Sequence, residues 1–423
     1  MAPFLTVDGL GLCGERLEAD WKRRQECRDS RQQLSFAVRK LKFRMIHGEA
    51  RGSGLPDTIW FEHVKAKPGD FQDEEGAADE EGAELASYDL EELLALRMMD
   101  EYFRTRTLLP QEAVFGRCPQ DEELYLSSAI GVCRLLEHYA KHVASTRPEV
   151  ACAEIREIYE LLVQPIQGEL LRFDFRNGPL RRKYDAVKYV SKTLEELIYQ
   201  LSFFSPGADA LQALSEGAKA SSICFEAQRI VLEKFNETRE DVIKKSRDIT
   251  KAGKQAIYAL LRGNMADADR QLRTGETVAR EIAAKELKAA PDLRTCGSYS
   301  GGLEELGEAA FLRSWLKERK LVRHELLNDT ECLGALADFT GEVHRWAVAE
   351  ATQRRTASVR EAVQVVTEAS EVFLELHLPG RVAKKARELQ RTLDKEETLL
   401  FELLLSDCKK VGCLPGTDGP GGD

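Results

Sequence analysis

Apolar positions recur every three or four residues along nearly the whole chain, the spacing of helices that bury one face. Leu34, Val38, Leu41 and Met45 predict a first helix over about Glu15–His47, stopped by Gly52-Ser-Gly-Leu-Pro56. Helices follow at about Leu90–Leu108, Glu122–Ser145, Glu149–Phe173 and Leu180–Phe204. Leu124, Leu126, Ile130, Val132, Leu135 and Leu136 mark the buried face of the helix from Glu122. Pro165 lies inside the next one, where its missing N–H and its ring predict a kink or break. Ser205-Pro206-Gly207 ends this series and a second begins. It comprises Ser222–Arg262, Met265–Leu287, Gly302–Arg319, a helix around Cys332–Val343, Ser358–Leu378 and Arg381–Leu405, with a loop over Ala290–Gly301. The inner stripe of its first helix is Leu232, Phe235, Val242, Ser246, Ile249, Ile257 and Leu260.

The two series repeat each other. Tyr102-Phe-Arg-Thr-Arg-Thr-Leu-Leu109 answers Trp315-Leu-Lys-Glu-Arg-Lys-Leu-Val322, and Arg181-Arg-Lys-Tyr-Asp-Ala-Val-Lys-Tyr189 answers Ala383-Lys-Lys-Ala-Arg-Glu-Leu-Gln-Arg391. An offset of roughly 200 residues means that a whole domain is duplicated, and it excludes a short-period solenoid. The expected architecture is all-α. Two tandem helical bundles, residues 14–205 and 206–408, form an intramolecular pseudo-dimer, with an unstructured lead over 1–13 and a disordered tail over 409–423.

Charge changes the picture once its distribution is considered. The net charge of −11 opposes nucleic acid, yet Asp70, Asp73, Glu74, Glu75, Asp79, Glu80, Glu81 and Glu84 supply eight of the acids from one Gly/Ala-rich stretch. That stretch, about 66–84, reads as a mobile, solvated loop. Without those eight acids −11 becomes −3, so the remainder can carry basic patches. No apolar run reaches the roughly 18–20 residues that span a bilayer, and no signal peptide opens the chain. Ten cysteines without paired spacing suit a reducing compartment, cytoplasm or nucleus. No membrane partner is expected.

Two stretches carry candidate chemistry. From Cys332 to Val343 only Asp338 and Glu342 are charged, and their i, i+4 spacing points both from one helix face. Carboxylates on so apolar a helix are costly unless paired, hydrogen-bonded or bound to metal. Glu305 and Glu308 form a second pair at i, i+3 on the preceding helix. Packed side by side, the two helices would bring four acids to one point. Such oxygen donors suit Mg2+, with Mn2+ as the alternative. A Glu-x-x-Glu pair alone is common on solvated faces of a chain that is 31% charged, so the Asp338/Glu342 pair is the more specific signal.

Leu180-Arg-Arg-Lys-Tyr-Asp-Ala-Val-Lys-Tyr189, followed by Leu194-Glu-Glu-Leu-Ile-Tyr199, resembles the last helix of translin. Lys244-Lys-Ser-Arg-Asp-Ile-Thr250, Gly302-Leu-Glu-Glu305 with Glu308, and Ala337-Asp-Phe-Thr-Gly-Glu342 resemble its partner, translin-associated factor X. The chain is thus similar to the translin superfamily over nearly its whole length, apart from the tails and the acidic stretch. The resemblance implies helical bundles that assemble into closed shells and bind single-stranded RNA and DNA. It also implies a magnesium-dependent endoribonuclease activity in the factor X-like half. By motif, the catalytic and metal-binding set is Glu305, Glu308, Asp338 and Glu342. The first half departs from this pattern. Registering Arg106 with Arg319 puts Glu92 opposite Glu305 but Ala95 opposite Glu308, and registering Tyr125–Gly131 with the segment around Asp338 puts Gly131 and Leu135 at the acid positions. Cleavage is expected from the second half alone. The region from His47 to Leu90 has no clear counterpart to the family's second helix.

Candidate phosphate contacts are Arg104, Arg106, Lys317, Arg319 and Lys320, with Arg181, Arg182, Lys183, Lys188, Lys384 and Lys385 near the start of each half's final helix. Ordinary solvated helix faces are the alternative for each. A lysine at a helix start is disfavoured by the dipole, which marks out Lys183 and Lys384. His138 and His142 find no third ligand, and Cys408 and Cys413 are too far apart for a CxxC knuckle, so neither reads as a metal site. Trp315 and Trp346 read as core. The expected function is a metal-dependent endoribonuclease that cuts single-stranded RNA within a shell built by self-association and/or with a translin subunit. The alternative is a non-catalytic nucleic-acid-binding or scaffolding protein. Glu308 or Glu342 would act as general base, and the sequence leaves open which.

Overall fold

The computed structural model describes residues 10–48, 50–60, 80–115, 122–175, 179–203, 223–374, 376 and 380–411. Among these every regular element is helical: α1 Leu10–Ile46, α2 Leu55–Trp60, α3 Glu80–Thr105, α4 Gln111–Phe115, α5 Glu122–Thr146, α6 Pro148–Ile158, α7 Gln164–Leu170 and α8 Pro179–Ser202. Then come α9 Glu226–Leu260, α10 Met265–Ala289, α11 Gly297–Glu318, α12 Asp329–Thr352, α13 Thr356–Leu374 and α14 Gly380–Val411. The expected boundary at Ser205-Pro206-Gly207, residues 66–79 of the acidic stretch, the lead over 1–9 and the end from 412 lie outside the described residues. No described helix is long and apolar enough to cross a membrane.

The chain divides into two compact units. The N-terminal unit holds residues 26–74 and 81–237, and the C-terminal unit holds 1–25, 75–80 and 238–423, so the division falls inside α9. In the N-terminal unit Leu34, Val38, Leu41 and Met45 of α1 are all buried. They join Leu93, Leu94 and Met98 of α3, Leu126 and Ile130 of α5, and Val187 and Leu194 of α8 in one core. In the C-terminal unit Val242, Ile249, Ile257 and Leu260 of α9 are buried as their periodicity requires. Leu303, Leu306 and Leu312 of α11 and Leu333, Leu336 and Phe339 of α12 are fully enclosed.

The differences from the sequence reading have local causes. The helices α2 and α4 are too short to show a period. Buried Trp60 holds α2 in place, and Gln111 of α4 is buried. Helix α3 starts at Glu80, well before Leu90, and α11 starts at Gly297, inside the expected loop, behind a 3-10 turn over Pro291–Thr295. At Pro165 the regular α-helix is interrupted, as expected, but the chain stays helical. A π turn over Tyr159–Val163 joins α6 to α7 directly ahead of it. The carbonyl that the ring would strike, that of Leu161, lies in this widened turn.

Glycines set how closely the C-terminal helices approach. A Cβ on Gly253 would sit 2.8 Å from the backbone oxygen of Glu305, one on Gly307 would sit 2.5 Å from Leu327 Cδ1, and one on Gly334 would sit 2.9 Å from Glu304 Cδ. Leu327 has side-chain freedom, whereas the Glu305 backbone has none. Gly253→Ala is therefore expected to cost about 1–3 kcal/mol by overpacking, read from urea unfolding, and to push α11 away from α9.

Candidate functional site

The site is built by α11, α12 and α14 of the C-terminal unit. Asn328 caps α12 by accepting from the Glu331 N–H at 2.8 Å, and Glu331 accepts from the Asn328 N–H at 3.0 Å. This reciprocal cap satisfies two of the donors that a helix start leaves open. Glu331, only 1% exposed, also takes a two-pronged bond from Arg294 at 2.6 and 2.7 Å. The start of α12 is thereby fixed, and Asp338 follows two turns later.

Helices α11 and α12 lie side by side, with Gly307 against Ala335 and Glu304 against Gly334. This contact brings Glu305, Glu308, Asp338 and Glu342 into mutual electrostatic range. Burial pushes the Glu308 carboxyl up to about 8, and the charges of Asp338, Glu305 and Glu342 push the same way, against a smaller pull from Lys385. Burial raises Glu305 as well; Lys254 and Lys385 oppose that rise while Asp338 adds to it. Asp338 itself stands at the surface, its side chain 42% exposed, although its neighbours on α12 are buried.

Three of the four acids have a basic partner. Lys385 Nζ lies 2.6 Å from Asp338 Oδ2, Lys254 Nζ lies 3.5 Å from Glu305 Oε1, and Arg345 lies 2.7 Å from Glu342 Oε2. Glu308 is 8% exposed and makes no hydrogen bond or ion pair among the described residues. No three His, Cys, Asp or Glu side chains among those residues are arranged to hold one metal ion. The donor type nevertheless fits a hard divalent cation: four carboxylates, one of them buried without a counter-charge. Engaging one ion would require Asp338, Glu305 and Glu342 to turn from their basic partners.

Lys385 differs from the phosphate contact that the sequence suggests. It also donates to Glu304 Oε2 at 2.8 Å and to the Gly334 carbonyl at 3.4 Å, and only 20% of its side chain is exposed. Burial pulls its ammonium down, and the hydrogen bonds to Asp338 and Glu304 more than reverse that pull. The sequence held a signal for this, since Lys385 lies three residues after buried Val382 and four before buried Leu389. Glu304, 5% exposed, joins the site through Lys385, and nothing in its spacing from the Glu305/Glu308 pair marks it in the sequence.

The N-terminal unit has a matching lysine contact but keeps only Glu92 of the four acid positions. Lys183 of α8 donates to Glu91 and, at 3.0 Å, to Ser127 Oγ. In the registers given above, Glu91 stands for Glu304 and Ser127 for Gly334. Ala95 and Gly131 fill the positions of Glu308 and Asp338, and a Cβ on Gly131 would meet that of Ala95 at 3.1 Å. Glu92 pairs with Lys42 at 2.5 Å. The ends of α3 and α11 also agree. Arg106 and Arg319 both take left-handed backbone, with φ of 60° and 51°. Their N–H groups bond the carbonyls of Tyr102 and Trp315 at 2.8 and 2.9 Å, and each guanidinium lies over that same residue's ring.

The other candidate phosphate contacts divide into two groups. Arg104 pairs with Asp100 and Glu101, Arg106 with Glu157, Arg319 with Glu361 and Arg181 with Asp185. Arg182, Lys188, Lys317, Lys320 and Lys384 are exposed and form no ion pair among the described residues. Trp315 is buried and packs edge-on against Trp346 at 4.9 Å, as core residues do.

Residues 237–407 match the profile of the Translin family. No curated protein matches the chain. Among solved structures, a crystal structure of apo-NeC3PO is 21% identical, with a TM-score of 0.39, over 43% of this chain and 100% of that one. A complex of AfC3PO with duplex RNA is 16% identical, with a TM-score of 0.40, over 43% of this chain and 97% of that one. A crystal structure of AfC3PO is 17% identical, with the same TM-score and the same coverage.

Proposed function

We propose that the C-terminal unit is a divalent-metal-dependent endoribonuclease acting on single-stranded RNA, with single-stranded DNA as a further ligand, and that the N-terminal unit does not cut. The observation that carries this reading is Glu308, a buried carboxyl among Asp338, Glu305 and Glu342 with no cation in contact among the described residues. A carboxyl poised near neutrality is what a general base requires, and Glu308 is our choice for that role over Glu342. Glu305, Asp338 and Glu342 would hold the ion, Mg2+ or Mn2+. The bound ion would neutralise charge at the scissile phosphate. Arg182, Lys188, Lys317, Lys320 and Lys384 remain the residues available for the strand. Assembly with further copies or a translin subunit, pairing of the two units as a pseudo-dimer, and a cytoplasmic or nuclear location belong to the same proposal.

The test is single-turnover cleavage of labelled single-stranded RNA with Mg2+ and then with EDTA. Wild type should cut only with Mg2+, and Glu308→Ala should be at least about a hundredfold slower. Equal cleavage in the variant or in chelator would overturn the reading. Binding without cleavage by wild type would favour the non-catalytic alternative.

A further inference from the structure

Lys385 is the least ordinary feature of the acid cluster, for it brings a fixed positive charge to the place where a divalent cation is proposed. Its ammonium is spent on Glu304, Asp338 and the Gly334 carbonyl, at 2.8, 2.6 and 3.4 Å. Those contacts leave it poorly placed to meet phosphate. The N-terminal unit supplies an internal comparison. Lys183 makes the same clasp from α8 to Glu91 and Ser127, while Ala95 and Gly131 occupy the acid positions. Holding the final helix against its neighbours is therefore the duty common to both lysines. Only Lys385 has a further contact, to an acid of the cluster.

We propose that Lys385 is a positioning residue and resident counter-cation that lowers the affinity of the four-acid cluster for divalent ions. The inference rests on the metal reading given above. Two effects of removing Lys385 oppose each other. Freeing the Asp338 carboxylate to rotate weakens ion binding roughly two- to tenfold, the cost of immobilising one more side chain. Removing a unit positive charge about 4 Å from a divalent ion strengthens binding by roughly a hundredfold at an effective dielectric of about 60, and by more at a lower one. The electrostatic effect wins, so the neutral variant binds the ion more tightly.

The measurement is Mn2+ binding by the full chain, read from the electron paramagnetic resonance signal of free Mn2+ without any RNA. Lys385→Met should tighten the dissociation constant about fivefold or more. Lys385→Arg, which keeps the charge, should stay within about threefold of wild type. Lys183→Met should leave Mn2+ binding unchanged, because Ala95, Gly131 and Leu135 stand there in place of Glu308, Asp338 and Glu342. If Lys385→Met does not fold, having lost the Lys385 bond to buried Glu304, Glu304→Gln/Lys385→Met is compared with Glu304→Gln alone, and the double variant should again bind more tightly. Unchanged or weaker binding on loss of the lysine charge, with wild type binding Mn2+ normally, overturns the role of Lys385 and leaves the metal reading standing. Wild type that binds no Mn2+ overturns both.

Discussion

Glu308→Gln is expected to stabilise the folded chain at pH 8 by about 2–4 kcal/mol and to change it little at pH 4.5. The unfolded carboxyl ionises near its ordinary 4.5, whereas the folded one is pushed up to about 8. Between those values the folded chain holds the extra proton. Wild-type stability from this group is therefore full below about 4.5, falls as pH rises, and is gone above about 8. The whole interval corresponds to at most about 5 kcal/mol, reduced in the variant by the cost of seating a neutral amide. Glutamine carries no titrating proton, so the gap between the two proteins opens across that window. Urea unfolding of both at several pH values measures it. A gap independent of pH, or one that closes as pH rises, contradicts the placement of Glu308.

Glu331→Ala should be the most damaging single change in the scaffold, at about 3–5 kcal/mol. It removes a cap and the buried side of a partly exposed ion pair together. Arg294 would lose its two-pronged partner, and the Asn328 N–H would lose its acceptor. Glu331→Gln keeps an acceptor for the cap and should cost less. The effect reaches the site because the start of α12 fixes where Asp338 emerges. Thermal unfolding of the two variants checks the order, and a loss below about 1 kcal/mol for the alanine variant would show that the cap and the pair are not holding α12.

Much of the fold was legible in the sequence because long helices advertise themselves. The stripe of Leu34, Val38, Leu41 and Met45 is buried as spaced, and so is the later part of the α9 stripe. Short α2 and α4 escaped for want of two full turns of pattern. Pro165 marked an interruption of the α-helix, but that it takes the form of a π turn leaves no compositional trace. In the site, the spacing of Glu305 with Glu308 and of Asp338 with Glu342 placed each pair on one face of its helix. What the sequence did not display was the company these acids keep. Lys254, Lys385 and Arg345 come from α9, α14 and α12, and only packing decides which cation faces which carboxylate. The repeat was legible through Arg106 and Arg319, whose shared left-handed backbone ends α3 and α11 in the same way.

The proposed chemistry requires Glu305, Asp338 and Glu342 to share one ion beside Glu308. Anomalous diffraction from crystals of the full chain soaked in Mn2+ tests this most directly. It should give a peak about 2.0–2.3 Å from carboxylate oxygens of Glu305, Asp338 and Glu342, with Glu305 released from Lys254 and Glu342 from Arg345. Mn2+ found only elsewhere, with the three basic partners still in place around ordered acids, would contradict it.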